Sequence, residues 1–246
     1  MAFHVIIPAR WASTRLPGKM LADLGGVPMV VRVAQQAERS GARSVTVATD
    51  HSKIAQAVQK HGFAVLMTSA DHPTGTDRLS QAVTQLAFDE QEIVVNVQGD
   101  EPLIDPALIE AVARALHEDP LADIATCASP LIDQALRDNP NVVKVVCDFR
   151  GHALYFSRAP IPFDRDGHGK AQVLHHIGIY AYRVRFLKAF PSLTQGLLEV
   201  SESLEQLRAL EHGFKIHVNV MNKPIAGGID TPEDLLKVQK TFQEAQ

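Results

Sequence analysis

The chain has 246 residues, of which 46% are hydrophobic and 21% charged, and its formal net charge is -4. A chain of this length and composition buries a full hydrophobic core, so we expect one large globular domain. The weak negative charge and the lack of a Lys/Arg block argue against a nucleic acid or an anionic membrane surface as the partner, because phosphate groups select clustered cations.

No run in the sequence approaches the ~20 apolar residues that a membrane helix needs. The N-terminal MAFHVIIPAR has no basic region and no small-residue cleavage site, so it is not typical of a signal peptide. Cys127 and Cys147 lie in apolar surroundings without CxxC spacing, which predicts two buried reduced thiols. We therefore expect a cytoplasmic protein without a membrane segment.

Short β-branched runs alternate with helical patterns along the first half of the chain. The runs are FHVIIPA, SVTVATD, FAVLMTS, EIVVNVQGD and DIATCAS, and each of the first four precedes a stretch with helical apolar spacing. Gly41 and Gly62 are expected to end helices, and Pro106 to start one. This alternation predicts an α/β fold with a doubly wound, mostly parallel sheet, in which ligands bind outside the carboxyl ends of the strands.

The pattern changes after Phe149. GHALYFSRAPIPFDRDGHGK predicts a hairpin or an irregular excursion, and VLHHIGIYAYR, SESLEQLRALEHG and KIHVNVM predict a strand, a helix and a strand. GGIDTPEDL then leads into a closing helix. This region carries all three tyrosines of the chain, and its aromatic residues suit core packing, a subunit interface or a wall of the substrate site.

The loop after the first strand, in VIIPARWASTRLPGKML, places Arg10, Arg15 and Lys19 around Pro17 and Gly18. Backbone N–H groups at such a loop form a concavity for phosphate oxygens, and two arginine forks with one mobile lysine suit a triphosphate. The alternative is three surface cations on a loop. There is no Walker A sequence and no GxGxxG, so kinase, GTPase and dehydrogenase functions lose support.

Two carboxylates stand near the same predicted edge of the sheet. Asp100 follows the fourth strand and Asp230 precedes the closing helix, and a pair of this kind holds Mg²⁺ together with substrate phosphates. The alternative for Asp100 is a turn residue. DTPED is also typical of a helix start, with Thr231 as cap, Pro232 at the first position and Asp234 closing a capping box, which leaves Asp230 itself unexplained.

The adjacent His175 and His176 lie on a predicted strand, so their side chains point to opposite faces and do not chelate one ion together. A zinc site is therefore not expected from this pair. One ring facing the substrate pocket and simple packing remain equal alternatives.

The sequence resembles the 3-deoxy-manno-octulosonate (Kdo) cytidylyltransferases, also called CMP-Kdo synthetases, over essentially its whole length. The segments that carry the resemblance, in the order and spacing of that family, are PARWASTRLPGK, VATDH, HPTGTDRL, VVNVQGDEP, ALYFSRAPIP, HIGIYAYR, LEQLR and GIDTPEDL. The shape STRLPGK differs from the PARGGSKGIPGKN of CMP-sialate synthetases and from the AAGxGTRM type of guanylyl- and uridylyltransferases.

The resemblance implies a Rossmann-like nucleotidyltransferase fold of the nucleotide-diphospho-sugar transferase type, with a hairpin and strand insertion that forms the sugar site and a homodimer interface. The implied reaction transfers CMP from CTP to the anomeric hydroxyl of Kdo for lipopolysaccharide synthesis and releases pyrophosphate. It implies one domain, 1–246, with a nucleotide-binding part at 1–148. An acceptor-sugar and dimerisation part covers 149–220, and the metal loop and closing helix cover 221–246.

The resemblance also assigns roles to individual residues. Arg15, Lys19, Asp100 and Asp230 are the expected catalytic residues, and the two aspartates are the expected Mg²⁺ ligands. The expected nucleotide-binding residues are Pro8, Ala9, Arg10, Thr74, Gly75, Thr76, Arg78 and Gln98. The expected sugar-binding residues are Arg158, His176, Tyr180, Glu205 and Gln206, with Gln98 also falling in that region. Thr74, Gly75, Thr76 and Arg78 resemble the base-recognition loop of the family, where Arg78 and backbone groups would read cytosine. Asp77 is expected to support this loop.

Two other functions remain open at this point. One is a cytidylyltransferase for a modified ulosonate such as 8-amino-Kdo. The other is a catalytically silent nucleotide-binding homologue, which is disfavoured because Lys19, Asp100 and Asp230 are all present.

Overall fold

The computed structural model describes residues 1–12, 18–167, 172–222, 229 and 231–244. The strands in this part of the chain are β1 (His4–Ala9), β2 (Ser44–Thr49), β3 (Ala64–Met67), β4 (Ile93–Asn96), β5 (Ile124–Pro130), β6 (Lys144–Cys147), β7 (Ala153–Ser157), β8 (Leu174–Arg183) and β9 (Ile216–Val220). The helices are α1 (Met29–Glu38), α2 (Ser52–Lys60), α3 (Gly75–Gln85), α4 (Pro106–Glu118), α5 (Gln134–Arg137), α6 (Val184–Ala189), α7 (Leu197–Glu202), α8 (Gln206–Glu211) and α9 (Pro232–Glu244).

These strands form one sheet in the order β3-β2-β1-β4-β8-β5-β9, and β6 and β7 form a hairpin that joins β8. β1 to β4 are parallel to one another, β9 is parallel to β5, and β8 runs antiparallel between β4 and β5. The predicted α/β class and the mostly parallel central sheet are confirmed. Because β8 lies inside this sheet, the later part of the chain completes the core of the first part.

Alternation along β1 explains why helices cover both faces of the sheet. Val5 and Ile7 pack with α1, α2 and α4, whereas Ile6 packs with α3, α6 and α8. Successive residues of a strand point to opposite faces, so a continuous apolar strand such as β1 is buried on both sides. The doubly wound arrangement follows directly from this pattern.

The predicted helix boundaries have the expected chemistry. Gly41 and Gly62 have φ values of 78° and 83°, the left-handed conformation that ends a helix at low cost for glycine. Pro106 stands in the first turn of α4, where Asp105 accepts a hydrogen bond from a backbone N–H. At the start of α9, Thr231 Oγ1 accepts from Asp234 N at 3.1 Å and Thr231 N donates to Asp234 Oδ2 at 3.0 Å. The predicted capping box is confirmed.

The prediction of one helix over SESLEQLRALEHG is wrong in one respect. The structure divides this segment at Ser203, whose φ is 50°. The Arg158 guanidinium accounts for the break. Its Nε donates to the carbonyl of Glu202 at 2.6 Å and its Nη2 to that of Ser203 at 3.3 Å. In a continuous helix these carbonyls would accept from backbone N–H groups further along the chain. Here the side chain of Arg158, distant in the sequence, is the donor instead.

Two further expectations need correction. The hairpin begins earlier than predicted, because β6 precedes Phe149 and pairs with β7, and the irregular segment follows at 158–167. Of the two predicted buried thiols, Cys127 is buried but Cys147 is only half-buried, and both are free. Burial raises the pKa of Cys127 to about 12 and that of Cys147 to about 11, with the charge of Asp148 contributing to the latter, so both thiols stay protonated at neutral pH.

Candidate active site

A cleft of about 250 Å³ lies at the carboxyl ends of β1 and β4. Its lining combines the first loop, the segment before α3 and the segment after β4, as predicted for this edge of the sheet. The lining residues are Pro8, Arg10, Met20, His72, Pro73, Thr74, Gly75, Arg78, Gln98, Gly99 and Asp100. Six of the eight residues predicted to bind nucleotide are therefore gathered around one space.

Lys19 and Asp100 form an ion pair beside this cleft. Lys19 begins a short 3-10 turn after Gly18, whose left-handed φ of 71° turns the chain back toward the sheet. Its Nζ donates to Asp100 Oδ2 at 2.6 Å, and only 8% of the Lys19 side chain is exposed. A charge-assisted bond in this partly buried position holds both side chains in place.

The residue before Asp230, the second predicted metal ligand, is hydrogen-bonded to Asp100. Ile229, which is buried, donates its backbone N–H to the carbonyl of Asp100 at 3.0 Å. Asp230 and Arg15, two of the predicted catalytic residues, lie outside the described residues. Next to the ion pair, burial raises the pKa of Glu101 to about 7 and the charge of Asp100 adds to this shift.

The N-terminus of α3 opens into the cleft. Thr74 caps the helix by accepting from Asp77 N at 3.2 Å, and its hydroxyl donates to Asp77 Oδ2 at 2.8 Å. Asp77 thus supports the loop, as the sequence predicted. Gly75 follows the cap, and a Cβ at this position would have no atom within 4 Å. The first-turn backbone N–H groups that the cap does not engage lie at the positive end of the helix dipole. They suit an anion or a carbonyl of the ligand.

Arg78 is held in place by a carboxylate that the sequence analysis missed. Its Nη2 donates to Asp50 Oδ2 at 2.9 Å, and both side chains are more than 90% buried. The other oxygen of Asp50 accepts from the backbone N of Trp11 at 2.9 Å. Asp50 therefore connects the first turns of α3 to the loop after β1. Its position directly after β2, at the ligand edge, was the signal that was available in VATDH.

Gly99 is a second residue that the sequence analysis did not single out. A Cβ on Gly99 would lie 2.8 Å from Met20 Sδ and 3.1 Å from the carbonyl oxygen of Pro8. Glycine suits this position because the backbone after β4 passes close to the end of β1 and to Met20 at the floor of the cleft.

A smaller cavity of about 50 Å³ lies beyond the first turn of α3. It gathers Thr76 with Tyr180, Glu205 and Gln206, three of the five predicted sugar-binding residues. Thr76 donates a short hydrogen bond to Glu205 Oε1. The Gln206 Nε2 is buried and has no hydrogen-bond partner among the described residues. A buried donor of this kind is costly without a partner, so it is suited to a polar ligand or water.

Burial sets the protonation states around this small cavity. It raises the pKa of Glu205, although the hydrogen bonds from Thr76 and Thr74 oppose the shift. Burial also raises the pKa of Tyr180 well above its usual value, so the phenol keeps its proton. The cavity is much smaller than a sugar. The predicted polar side chains therefore lie close together, but they do not enclose a pocket of the size of a sugar.

The remaining two predicted sugar-binding residues lie outside the lining of both cavities. His176 is buried behind Tyr180, 5.4 Å between ring centroids, and burial lowers its pKa to about 3. Its Nε2 lies 3.0 Å from Thr126 Oγ1, whose hydroxyl donates to backbone carbonyls, so the neutral ring donates from Nε2. Arg158 is bound to backbone carbonyls, including that of Pro140 at 2.8 Å. Ala9, from the nucleotide-binding set, is buried in β1.

The chain is similar to known cytidylyltransferases over most or all of its length. The family described as cytidylyltransferase matches residues 4–216, and the chain belongs to this family. A solved structure of CMP:2-keto-3-deoxy-manno-octonic acid synthetase, complexed with CTP, is 40% identical to the chain. The alignment covers 100% of both chains with a TM-score of 0.93. The resemblance found in the sequence is thereby confirmed.

No helix in the described ranges has the length and apolar character needed to cross a membrane.

Proposed function

We propose that this protein transfers CMP from CTP to the anomeric hydroxyl of Kdo, giving CMP-Kdo and pyrophosphate. The observation that carries the proposal is the cleft in which Arg10, the α3 N-terminus and the Lys19–Asp100 pair meet, in a chain that aligns along its full length with a CTP-bound CMP-Kdo synthetase. The named acceptor of that relative favours Kdo over 8-amino-Kdo, and the retained charges disfavour a silent homologue.

The cations of the cleft suit a triphosphate. Arg10 lines the cleft, and Lys19 stands at its side with its ammonium directed to Asp100. In the proposed reaction these groups, with Arg15, hold the phosphates and stabilise the charge that develops on the leaving pyrophosphate. Arg78 and the segment Thr74 to Thr76 recognise cytosine, with Asp50 holding the Arg78 guanidinium in orientation.

Mg²⁺ is the proposed cofactor, with Asp100 and Asp230 as its ligands. The donor set fits, because Mg²⁺ prefers carboxylate and phosphate oxygens and Asp100 presents a charged carboxylate at the cleft. The hydrogen bond from Ile229 to the Asp100 carbonyl supports the pairing, since Ile229 precedes Asp230 in the chain. When bound, the ion would supply charge neutralisation at the phosphates and lower the pKa of the attacking hydroxyl.

The proposed sugar site extends from Gln98 toward the smaller cavity. Gln98 lines the nucleotide cleft, and Thr76 lies between this cleft and the group formed by Tyr180, Glu205 and Gln206. Gln206 Nε2, which has no partner in the part of the chain that the structure describes, and the protonated Tyr180 phenol are suitable donors to sugar oxygens. We propose a positioning role for His176, which packs against Tyr180, and for Arg158, which fixes the break before α8.

We also propose a cytoplasmic homodimer that acts in lipopolysaccharide synthesis. Phe149, Leu154 and Phe163 expose more than 60% of their surface within the predicted dimerisation region. Large exposed apolar side chains of this kind are typical of subunit interfaces. The two free thiols are consistent with a reducing compartment. A monomeric mass in light scattering at micromolar concentration would contradict the dimer.

The proposal is tested by pyrophosphate release from CTP with Mg²⁺ and each of three acceptors: Kdo, 8-amino-Kdo and sialic acid. UTP replaces CTP as the base control. We expect release with CTP and Kdo. A preference for the amino sugar would change the acceptor, and no release with any of the three would refute the activity.

A further inference from the structure

A cluster of metal-ligating side chains lies apart from the proposed active site. It consists of Asp119, directly after α4, His152, in the turn between β6 and β7, and His217, the second residue of β9. One ligand atom from each residue lies within 4.8 Å of the other two. Asp119 Oδ2 is 2.7 Å from His152 Nε2 and 2.9 Å from His217 Nδ1.

The backbone holds these side chains in fixed positions. His152 and His217 are partners in an antiparallel bridge, and Val218 N donates to the Gly151 carbonyl at 2.8 Å. The carbonyl of Asp119 accepts from Arg183 Nη2 at 3.1 Å. Because each ligand is attached to the sheet or to a buried arginine, ion binding would need little ordering of the chain.

The charges in the cluster also suit a cation. Asp119 Oδ2 lies within hydrogen-bond distance of a ring nitrogen of both histidines, so one carboxylate oxygen and two imidazole nitrogens already face one another. Behind His152, its Nδ1 faces Asp148 Oδ2 at 3.6 Å. Histidine ligands commonly have such a carboxylate at the second ring nitrogen, where it orients the ring and raises its basicity.

The cluster lies at the opposite edge of the sheet from the nucleotide cleft. Asp119 precedes β5 and His217 is near the start of β9, whereas the cleft lies at the carboxyl ends of the parallel strands. Asp119 and His217 border an open cleft of about 590 Å³, which Glu110, Glu118 and Asn219 also line. This cleft leaves room for water as a further ligand, without contact to the proposed reaction.

We propose that Asp119, His152 and His217 bind one divalent ion of the zinc class, with water completing the coordination. Two imidazoles and one carboxylate are typical ligands of zinc, whereas Mg²⁺ prefers oxygen ligands alone. Donors around tetrahedral zinc stand about 3.3 Å apart, so the observed distances need to open by about 0.5 Å. On binding, Nε2 of His152 would exchange its contact with Asp119 for the ion, and the remaining ring proton would lie on Nδ1, which faces Asp148.

The ion would connect three segments that are distant in the sequence: the end of α4, the β6–β7 turn and β9. The ion would bind the folded chain but not the unfolded chain, which does not bring the three ligands together. Binding would therefore stabilise the folded state. The site is therefore structural in role, and it is independent of whether the proposed nucleotidyl transfer is correct.

Zinc binding to untagged, chelator-stripped protein tests the site, with millimolar Mg²⁺ present to occupy oxygen-ligand sites. We expect one Zn²⁺ per chain by calorimetric titration and a higher Tm with zinc. His217→Gln is expected to weaken binding at least about 100-fold, and Asp148→Asn by about 10-fold to 100-fold, because Asn keeps the Oδ1 acceptor of the turn but loses the charge behind His152. His61→Gln, at an exposed histidine after α2, is the control and should bind normally.

Cobalt provides a measurement on the unaltered protein. Co²⁺ bound at two imidazoles and a carboxylate should give an intense visible spectrum of a four- or five-coordinate ion, which zinc displaces. No zinc uptake by the wild-type chain, a weak six-coordinate cobalt spectrum, or equal binding by wild type and His217→Gln would each overturn the proposal. The cluster would then consist only of the hydrogen bonds between Asp119 and the two histidines.

Discussion

The Lys19 ammonium donates to the Asp100 carboxylate at 2.6 Å, and this contact joins the loop after β1 to the end of β4. The two groups have different proposed partners during turnover, a phosphate for Lys19 and Mg²⁺ for Asp100. Their ion pair therefore keeps both charges compensated and positioned before substrate binds.

Replacement of Lys19 should affect the reaction more than product binding. For Lys19→Ala we expect kcat to fall about 10²-fold to 10³-fold, because charge on the leaving pyrophosphate loses a donor. Affinity for CMP-Kdo, which lacks pyrophosphate, should change little. Steady-state kinetics and calorimetric titration with product provide the comparison, with the exposed Lys60→Ala as control. Equal losses in both measurements would refute the leaving-group role.

Asp100→Asn tests the proposed metal site. The amide keeps the size of the side chain but lacks the charge that attracts Mg²⁺, so the Mg²⁺ concentration for half-maximal activity should rise at least about 10-fold and kcat should fall. A Mg²⁺ titration of pyrophosphate release measures both effects. Asp138→Asn, at an exposed position away from the cleft, should behave as wild type. If the activity of Asp100→Asn depended on Mg²⁺ as that of wild type does, Asp100 would not be a ligand of the metal.

The buried Asp50–Arg78 pair should matter for stability as well as for CTP binding. Removal of one partner leaves a buried charge, so Asp50→Ala should lower the free energy of unfolding by about 3 kcal/mol and raise the KM for CTP. The exposed Glu110–Arg114 pair is the matched control, because Glu110→Ala should cost no more than about 0.5 kcal/mol. Urea unfolding compares the two, and equal losses would contradict the assigned role of burial.

Gly99→Ala should distort the floor of the cleft. The added methyl would displace Met20 and approach the Pro8 carbonyl, at a cost of about 1–3 kcal/mol in the free energy of unfolding, with weaker CTP binding. Gly178→Ala is the control, since a Cβ there meets nothing within 4 Å and the backbone is not left-handed. Normal CTP affinity and stability of Gly99→Ala would show that the strand ends tolerate a side chain.

Acid should destabilise the protein partly through Glu202. Burial raises the pKa of this carboxyl, but its hydrogen bonds from Ser157 Oγ at 2.6 Å and Arg158 N at 2.9 Å outweigh that effect and lower it. A carboxyl with a lowered pKa stabilises the fold above its ordinary pKa near 4.5, and this contribution disappears as the pH falls through the lower folded value.

Glu202→Gln should therefore reduce stability at pH 7 and flatten the fall in stability below pH 5. Urea midpoints across this range provide the measurement, with Glu233→Gln on the exposed start of α9 as the control. An acid profile with the same slope as that of wild type would exclude Glu202 as a contributor.

Local chemistry made much of this protein predictable. The continuous apolar strand β1, the glycines after helices and the capping box at Thr231 depend on neighbours within a few residues, so the sequence alone determined the α/β class, the helix ends and the edge of the sheet that carries the cleft. Motifs at the strand ends also identified Lys19, Asp100 and the Thr74 loop as one candidate site.

Only the tertiary structure decided the relationships between distant segments. The support of Arg78 by Asp50, the break at Ser203 through Arg158, and the Asp119, His152 and His217 cluster each join residues 28 or more positions apart. The position of β8 between β4 and β5 belongs to the same class. No local pattern records such contacts, because they depend on how the sheet orders its strands and on which side chains that order brings together.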